Sequence, residues 1–287
     1  MTTRDQSMEQ QKQDEQKQMD LVRDRFTRTA AVFSDFALVD RVAEAEHLLK
    51  LIAPAGNERA LDVACGPGTI ARTFAKHVAW IGGLDFTPAM LELARKDAIA
   101  NHLDNFRPLR GNALTMPFPD ATFDIVVTSY SIHHLPDSVA AIREIARILK
   151  PGGKFGLLDM VVSEDASRAA ACNHIEWVRD ASHTRALPLS EFERLLTSCG
   201  FRILARGTED HPRLLDVWMR TAGWKRGDAV YEDVRRLLEA SIPGDTAGLS
   251  PKILAPPSPP EAAAATADAR PDMELLHTAA FIVAQKQ

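Results

Sequence analysis

The 287-residue sequence predicts a doubly wound α/β fold of seven strands, and three observations predict it. From Ala60 onward, short apolar runs alternate with helical patterns, the order expected of parallel strands joined by crossover helices. The first run passes into a glycine-rich turn that opens a helix, LDVACGPGTIARTFA at 61–75. The last helix of the alternation stops at Lys150-Pro151-Gly152-Gly153, where proline and paired glycines end a helix and turn the chain.

Taken in order, residues 1–20 form a Gln-rich, charged tail with nothing to bury, a solvated helix or disordered. Over 21–59, apolar residues recur at helical spacing (Leu21, Val22 and Phe26, then Phe33 and Phe36, then Leu48, Leu49 and Ile52), which reads as two or three helices. The core spans 60–162, with strands at 60–64, 80–85, 106–111, 123–129 and 154–159 and helices near 70–77, 88–101 and 138–149. A helical cap follows over 163–200, in SEDASRAAACNHIEWVRDASHTR and PLSEFERLLTSCG. The remainder, 201–287, holds a strand at 201–207, an inserted helical region from 212 to about 242, and a Pro/Ala-rich loop at 251–272. It closes on MELLHTAAFIVAQK, read as a last edge strand.

Composition narrows the function. The 34 basic and 39 acidic residues give a net charge of −5, and no long Lys/Arg run supplies a nucleic-acid footprint, so a small-molecule substrate is expected. Cys65, Cys172 and Cys199 lie far apart, without the spacing of a disulfide framework or a CxxC motif. The N-terminus lacks an apolar leader core, and no apolar run has the length of a membrane span. A cytoplasmic protein with no membrane anchor is the expectation, and exposed helices at both ends suit a homodimer.

The turn Gly66-Pro67-Gly68-Thr69-Ile70-Ala71 fits a GxGxx(G/A) nucleotide loop, a weak signal by itself. Asp85 follows about 20 residues on, where an acid meets a ribose diol. Asp62, just ahead of the glycines, discriminates between ligands. A carboxylate there repels the pyrophosphate of a dinucleotide and favours S-adenosylmethionine, which has no phosphate and carries an ammonium and a sulfonium. An NAD-dependent dehydrogenase is therefore the weaker alternative, and a cofactor-binding protein without catalysis is another.

Four motifs in order, LDVACGPGT, GLDFTPAMLELAR, GNALTMPFPDATFDIVVTSYSIHHLPD and REIARILKPGGKF, carry a resemblance. From about Phe26 to Gly207 the chain resembles the class I S-adenosylmethionine-dependent methyltransferases, in the branch of ubiquinone/menaquinone-biosynthesis and related small-molecule enzymes. The resemblance implies a Rossmann-like, mostly parallel sheet whose last strand is antiparallel. It implies that Asp62, Gly66 and Gly68 line the methionine end of the cofactor, that Asp85 holds the ribose, and that Phe86 and Met90 cover the adenine. Ala64, Gly111 and Ser129 complete that set. Relatives carry an Asp-Ala pair where this chain has Asn112-Ala113; an Asn oxygen still accepts from the adenine amine, without the charge. Relatives often have a Tyr where Phe33 stands, so a polar contact to the cofactor carboxylate must come from elsewhere.

Methyl transfer needs alignment and removal of a proton from the acceptor. Ligands lie beyond the carboxyl ends of the strands in such sheets. That places His133 and His134, after the fourth strand, and Asp159, at the end of the fifth, as neighbours of the transferred methyl. His133 is the first candidate base, His134 the second, and Asp159 the residue that orients it. The same HHLPD run also fits a helix-entry turn in which a histidine caps or packs. No metal site is expected, since adjacent histidines point apart. In the cap, Trp177, Arg179, His183 and Arg185 are candidate acceptor contacts, although the pattern equally fits a solvated, salt-bridged helix. Cys65 reads as a small residue packed under the turn, and Trp218, Trp224 and Tyr231 as core or interface.

Overall fold

The computed structural model describes residues 3–255 and 270–287, except the side chains of 3–8, 11, 12 and 33–40. Phe33 and most of the Pro/Ala-rich segment therefore lie outside the described residues. Two helices precede the sheet, α1 (Thr3–Asp40) and α2 (Val42–Ile52). The expected alternation follows: β1 (Arg59–Val63), α3 (Thr69–Ala75), β2 (Trp80–Asp85), α4 (Pro88–Ala100), β3 (Phe106–Arg110), β4 (Phe123–Ser129), α5 (Ser138–Ile148) and β5 (Leu149–Val162). Beyond it come α6 (Ala166–Arg179), β6 (Leu187–Pro188), α7 (Leu189–Ser198), β7 (Phe201–Leu214), α8 (Leu215–Thr221), α9 (Ala229–Ser241), β8 (Lys252–Ile253) and β9 (Met273–Lys286).

The main sheet runs β3-β2-β1-β4-β5-β9-β7, with short β6 beside β5 and β8 beside β9. β1 to β5 are parallel, and β9 is antiparallel to β5 and β7. The final strand is thus not an edge strand. Ala279-Ala280-Phe281-Ile282-Val283-Ala284 is buried on both faces, the continuous apolar run of an interior strand rather than the alternation of an edge. β7 takes the edge and continues past the expected end at 207 to Leu214. Its polar residues Thr208 to Asp210 face solvent, and Pro212 is tolerated because an edge strand needs no ladder on its outer side.

Helices cover both faces of the sheet. On one, Leu48 and Ile52 of α2, Phe74 of α3 and Ala94 of α4 pack on Ile81, Ile125 and Phe281. On the other, Ile142 and Ile145 of α5 and Phe192 and Leu196 of α7 pack on Val126, Phe155 and Ile282. Burying such side chains contributes about 1.5–3 kcal/mol each. A third cluster joins α6 to α8 and α9 through Cys172, Ile175, Trp218, Tyr231 and Leu238, over the carboxyl end of β5. α7 therefore belongs to the sheet-facing core, while α8 and α9 stand with α6. Among the described residues, no helix is long and apolar enough to cross a membrane.

Candidate active site

The glycine turn is shaped by its backbone. Gly66 and Gly68 have φ of 53° and 92°, and a Cβ on Gly68 would stand 3.3 Å from the Phe106 ring. Glycine avoids both costs. Asp62, wholly buried, accepts a 3.1 Å hydrogen bond from Ala71 N–H in the first turn of α3, and its Oδ1 has no hydrogen bond. Burial pushes its pKa well up, and the nearby Asp85 charge pushes it further. Asp85 accepts from Gly66 N–H at 2.9 Å and Thr87 N–H at 2.7 Å, and burial raises its pKa also.

Gly66 and Asp85 border a cleft of about 870 Å³, its open mouth included, within the range of about 300–1,000 Å³ for small-molecule sites. Of the expected cofactor residues, Ala64, Gly66, Asp85, Phe86, Met90, Gly111, Ala113 and Ser129 line it. Asp62 and Gly68 stand behind, fixing the turn. Asn112 is also absent from the lining, because its Oδ1 accepts from Leu114 N–H at 2.9 Å and closes its own loop. Cys65 lines the cleft, but burial raises its thiol pKa well above the ordinary value, so it stays protonated.

A second, more polar cavity of about 630 Å³, open space included, adjoins the first, and Phe26, Arg41, Tyr130 and His134 line both. His133 lines the second cavity, and its Nδ1 lies 2.5 Å from Asp159 Oδ1. Asp159 also accepts from Ile132 N–H at 2.8 Å and from Met160 N–H at 2.8 Å, so strand β5 and the turn after β4 hold it rigidly. The carboxylate accepts only, so Nδ1 is the protonated nitrogen and Nε2 the basic one. His134 differs: its Nδ1 donates to Ser182 O at 3.0 Å, and its ring meets Phe26 edge-on. Burial and the neighbouring His133 hold its pKa well below 6.5, so it is neutral. Tyr130, left-handed at φ 47°, lies under Arg41 at 3.9 Å and donates to Glu44 at 2.9 Å. Such strain in a bulky residue costs about 1–3 kcal/mol and gathers at functional sites.

The cap residues divide. Arg179 lines the second cavity, donates to Glu176 at 3.1 Å and stacks on Trp218 at 4.4 Å. Burial alone would raise the Glu176 pKa, but the Arg179 guanidinium holds it below its ordinary value. His183 lies just behind, its Nε2 2.8 Å from Asn173 Oδ1 and its ring 5.6 Å from that of His133. The other two are not brought to either cavity. Trp177 is 55% exposed, because α6 turns Cys172, Ile175 and Glu176 inward and Trp177 stacks outside on His174. Arg185 pairs with Glu191 at the surface, at 2.7 and 2.8 Å. Trp218, expected as core, lines the cavity in Trp177's stead. Sequence reading also missed Arg25, Arg41, Arg213 and His277, which share no local motif. Among the described residues, no group of three His, Cys, Asp or Glu is arranged to hold a metal ion.

A family model described as a methyltransferase domain matches residues 61–157, the segment that builds the glycine turn, β4 and most of β5. Over 198 residues, 69% of this chain and 78% of the relative, the sequence is 31% identical to the uncharacterized methyltransferase YcgJ of Bacillus subtilis. The crystal structure of YcgJ matches with a TM-score of 0.73 at 26% identity, covering 85% of this chain and 98% of that one. The demethylmenaquinone methyltransferase of Listeria monocytogenes is 34% identical over 114 residues, 39% of this chain and 48% of that enzyme. With likeness at this level running through 78% of a methyltransferase, and the cleft built from those same strands, the chain belongs to the class I S-adenosylmethionine-dependent methyltransferases.

Proposed function

We propose that this enzyme moves a methyl group from S-adenosylmethionine to an oxygen or activated carbon of a small acceptor, aromatic or quinol-like, seated in the second cavity. The observation that carries the reading is the contact of the two cavities beside the His133–Asp159 pair. The residues present fit the cofactor. Asp62 Oδ1 is buried without a hydrogen bond, and burial disfavours the charge of both acids at the turn. A cationic ligand relieves that penalty, and a unit charge at 4 Å is worth about 4 kcal/mol at an effective dielectric near 20. A pyrophosphate would aggravate it, which argues against a dinucleotide.

When bound, S-adenosylmethionine supplies an electrophilic methyl on a positively charged sulfur. The chain does the rest. Asp85 holds the ribose hydroxyls as charge-assisted acceptor, Phe86 and Met90 flank the base, and Met19, Val22 and Phe26 of α1 close the cleft against water. His133 Nε2 takes the acceptor's proton, and Asp159 stabilises the resulting imidazolium. His134, neutral and held by Ser182, packs the wall between the cavities.

Incubation with labelled cofactor and a panel of phenols and quinols tests the reading, with calorimetry of S-adenosylhomocysteine alongside. Binding plus transfer to at least one acceptor is expected. Binding without transfer across the panel would favour a protein that binds the cofactor without catalysis, and failure to bind would remove the site assignment altogether.

A further inference from the structure

Two residues lining the second cavity each hold a buried polar atom that forms no hydrogen bond, Glu176 Oε1 and His277 Nε2. Proton transfer at His133 uses neither. Helix α6 turns Cys172, Ile175 and Glu176 inward, and Glu176 is 1% exposed. Its Oε2 accepts from Arg179 Nε at 3.1 Å, one turn on, which leaves Oε1 over. Strand β9 carries His277, whose ring Trp218 meets edge-on at 5.0 Å. The two orphaned atoms stand 3.5 Å apart, and no hydrogen bond joins them. Buried polar atoms left unmade are costly and rare, so a pair of them in one cavity wall calls for a ligand.

Their protonation states say what completes the pair. Against burial, the Arg179 guanidinium holds the Glu176 carboxyl below its ordinary pKa, so Oε1 is ionised and only accepts. Burial holds His277 at about 4, so its ring is neutral and carries one N–H, which the carboxylate nearby favours on Nε2. A hydroxyl seated beside both atoms donates to Oε1 and accepts from Nε2–H at once. An ionic group matches less well. The cavity's four arginines are equalled in number by Asp180, Glu176, Glu44 and Asp159 around them, so a charged ligand would be left without a counterpart.

We propose that the acceptor is uncharged and carries, besides the atom that is methylated, a hydroxyl that donates to Glu176 Oε1 and accepts from His277 Nε2. These two residues then select a ring bearing that hydroxyl over its deoxy analogue and fix which edge turns toward His133. This rests on the methyltransferase reading of the same cavity. His133 is near enough to Glu176 and His277 to bear on the charge of both, so the anchored hydroxyl and the reacting atom fit on one small molecule.

The test is calorimetric titration of the full chain, saturated with S-adenosylhomocysteine, against dihydroxybenzenes and dihydroxynaphthalenes and their monohydroxy parents, with hydroxybenzoates and hydroxybenzylamines as charged counterparts. At least one diol should bind about tenfold or more tightly than its parent. Glu176→Gln keeps the size of the side chain but turns an amide N–H₂ to the cavity, and it should bring that ratio close to one. His277→Phe keeps a ring against Trp218 and should lower the ratio in part. Both variants should bind S-adenosylhomocysteine as before. Diols that bind no more tightly than their parents would mean that Glu176 and His277 satisfy each other or hold water. That result, a diol preference unaltered in both variants, or tighter binding of a charged counterpart would each overturn the assignment. Failure of S-adenosylhomocysteine to bind the unaltered protein would instead remove the underlying methyltransferase reading, so the two failures are distinct.

Discussion

His133 Nδ1 lies 2.5 Å from Asp159 Oδ1, and the carboxylate is fully buried while backbone N–H groups fix both of its oxygens. An imidazole tethered this way has one tautomer and one orientation, which a general base requires before any question of its pKa. His133→Ala should lower kcat by roughly 10²–10⁴-fold with the affinity for S-adenosylhomocysteine retained. Asp159→Asn should act in the same direction, and His134→Ala should change kcat less. Steady-state rates beside calorimetry check this, and an equal loss of cofactor affinity would turn the pair into a structural feature.

Asp62 and Asp85 are two acids whose burial opposes their charge. Asp62→Asn keeps an acceptor for Ala71 N–H and removes the charge, so the free protein should melt higher, by about 2–4 °C for each kcal/mol gained. S-adenosylmethionine should bind more weakly. Asp85→Ala should abolish detectable binding. Melting curves and titrations read both effects, and an Asp62→Asn variant that binds the cofactor as tightly as before would show that the turn is not tuned for a cation.

Burial holds His183 and His277 at pKa values of about 4, against 6.5 for the free side chain. Between these values the unfolded chain binds protons that the folded chain does not, so stability falls as the pH drops from about 6.5 toward 4. Each histidine contributes up to about 3 kcal/mol to that loss. Melting temperatures between pH 7.5 and 4.5 should slope accordingly, and His183→Asn should flatten the curve. A flat curve in the unaltered protein would contradict the buried, neutral state of both rings.

Trp218 lines the second cavity and Trp177 does not. Trp218→Ala should raise KM for the acceptor at least about tenfold, in the range for loss of a buried aromatic contact. Trp177→Ala should leave it unchanged. Acceptor-dependent fluorescence quenching should likewise vanish in the first variant and persist in the second.

The sheet was legible where apolar runs are short, as at β2 and β4, whose expected and observed limits coincide. It was less legible at β7, where exposed polar residues disguise an edge strand, and at β9, whose position between β5 and β7 is a matter of topology that no local pattern encodes. The first cavity was readable in outline because most of its lining residues cluster in the motifs between Ala64 and Ser129. The second cavity was not. Arg25, Arg41, Arg213 and His277 come from the N-terminal helical region, β7 and β9, and helical spacing alone could not tell that α6 turns Trp177 outward.

α1 spans both cavities. Met19 and Val22 border the first, Arg25 the second, and Phe26 both. The helix is tied to the cap by Gln18 Nε2, which donates to Ser182 O at 2.7 Å, and by Arg25, which pairs with Asp180. A ligand that orders α1 from one cavity should order it for the other, and the expected outcome is cooperative binding. Linkage then demands reciprocity: whatever factor the cofactor adds to acceptor affinity, the acceptor returns to the cofactor. Titrations run in either order should yield one coupling constant, and two independent affinities would mean that the helix is a passive wall.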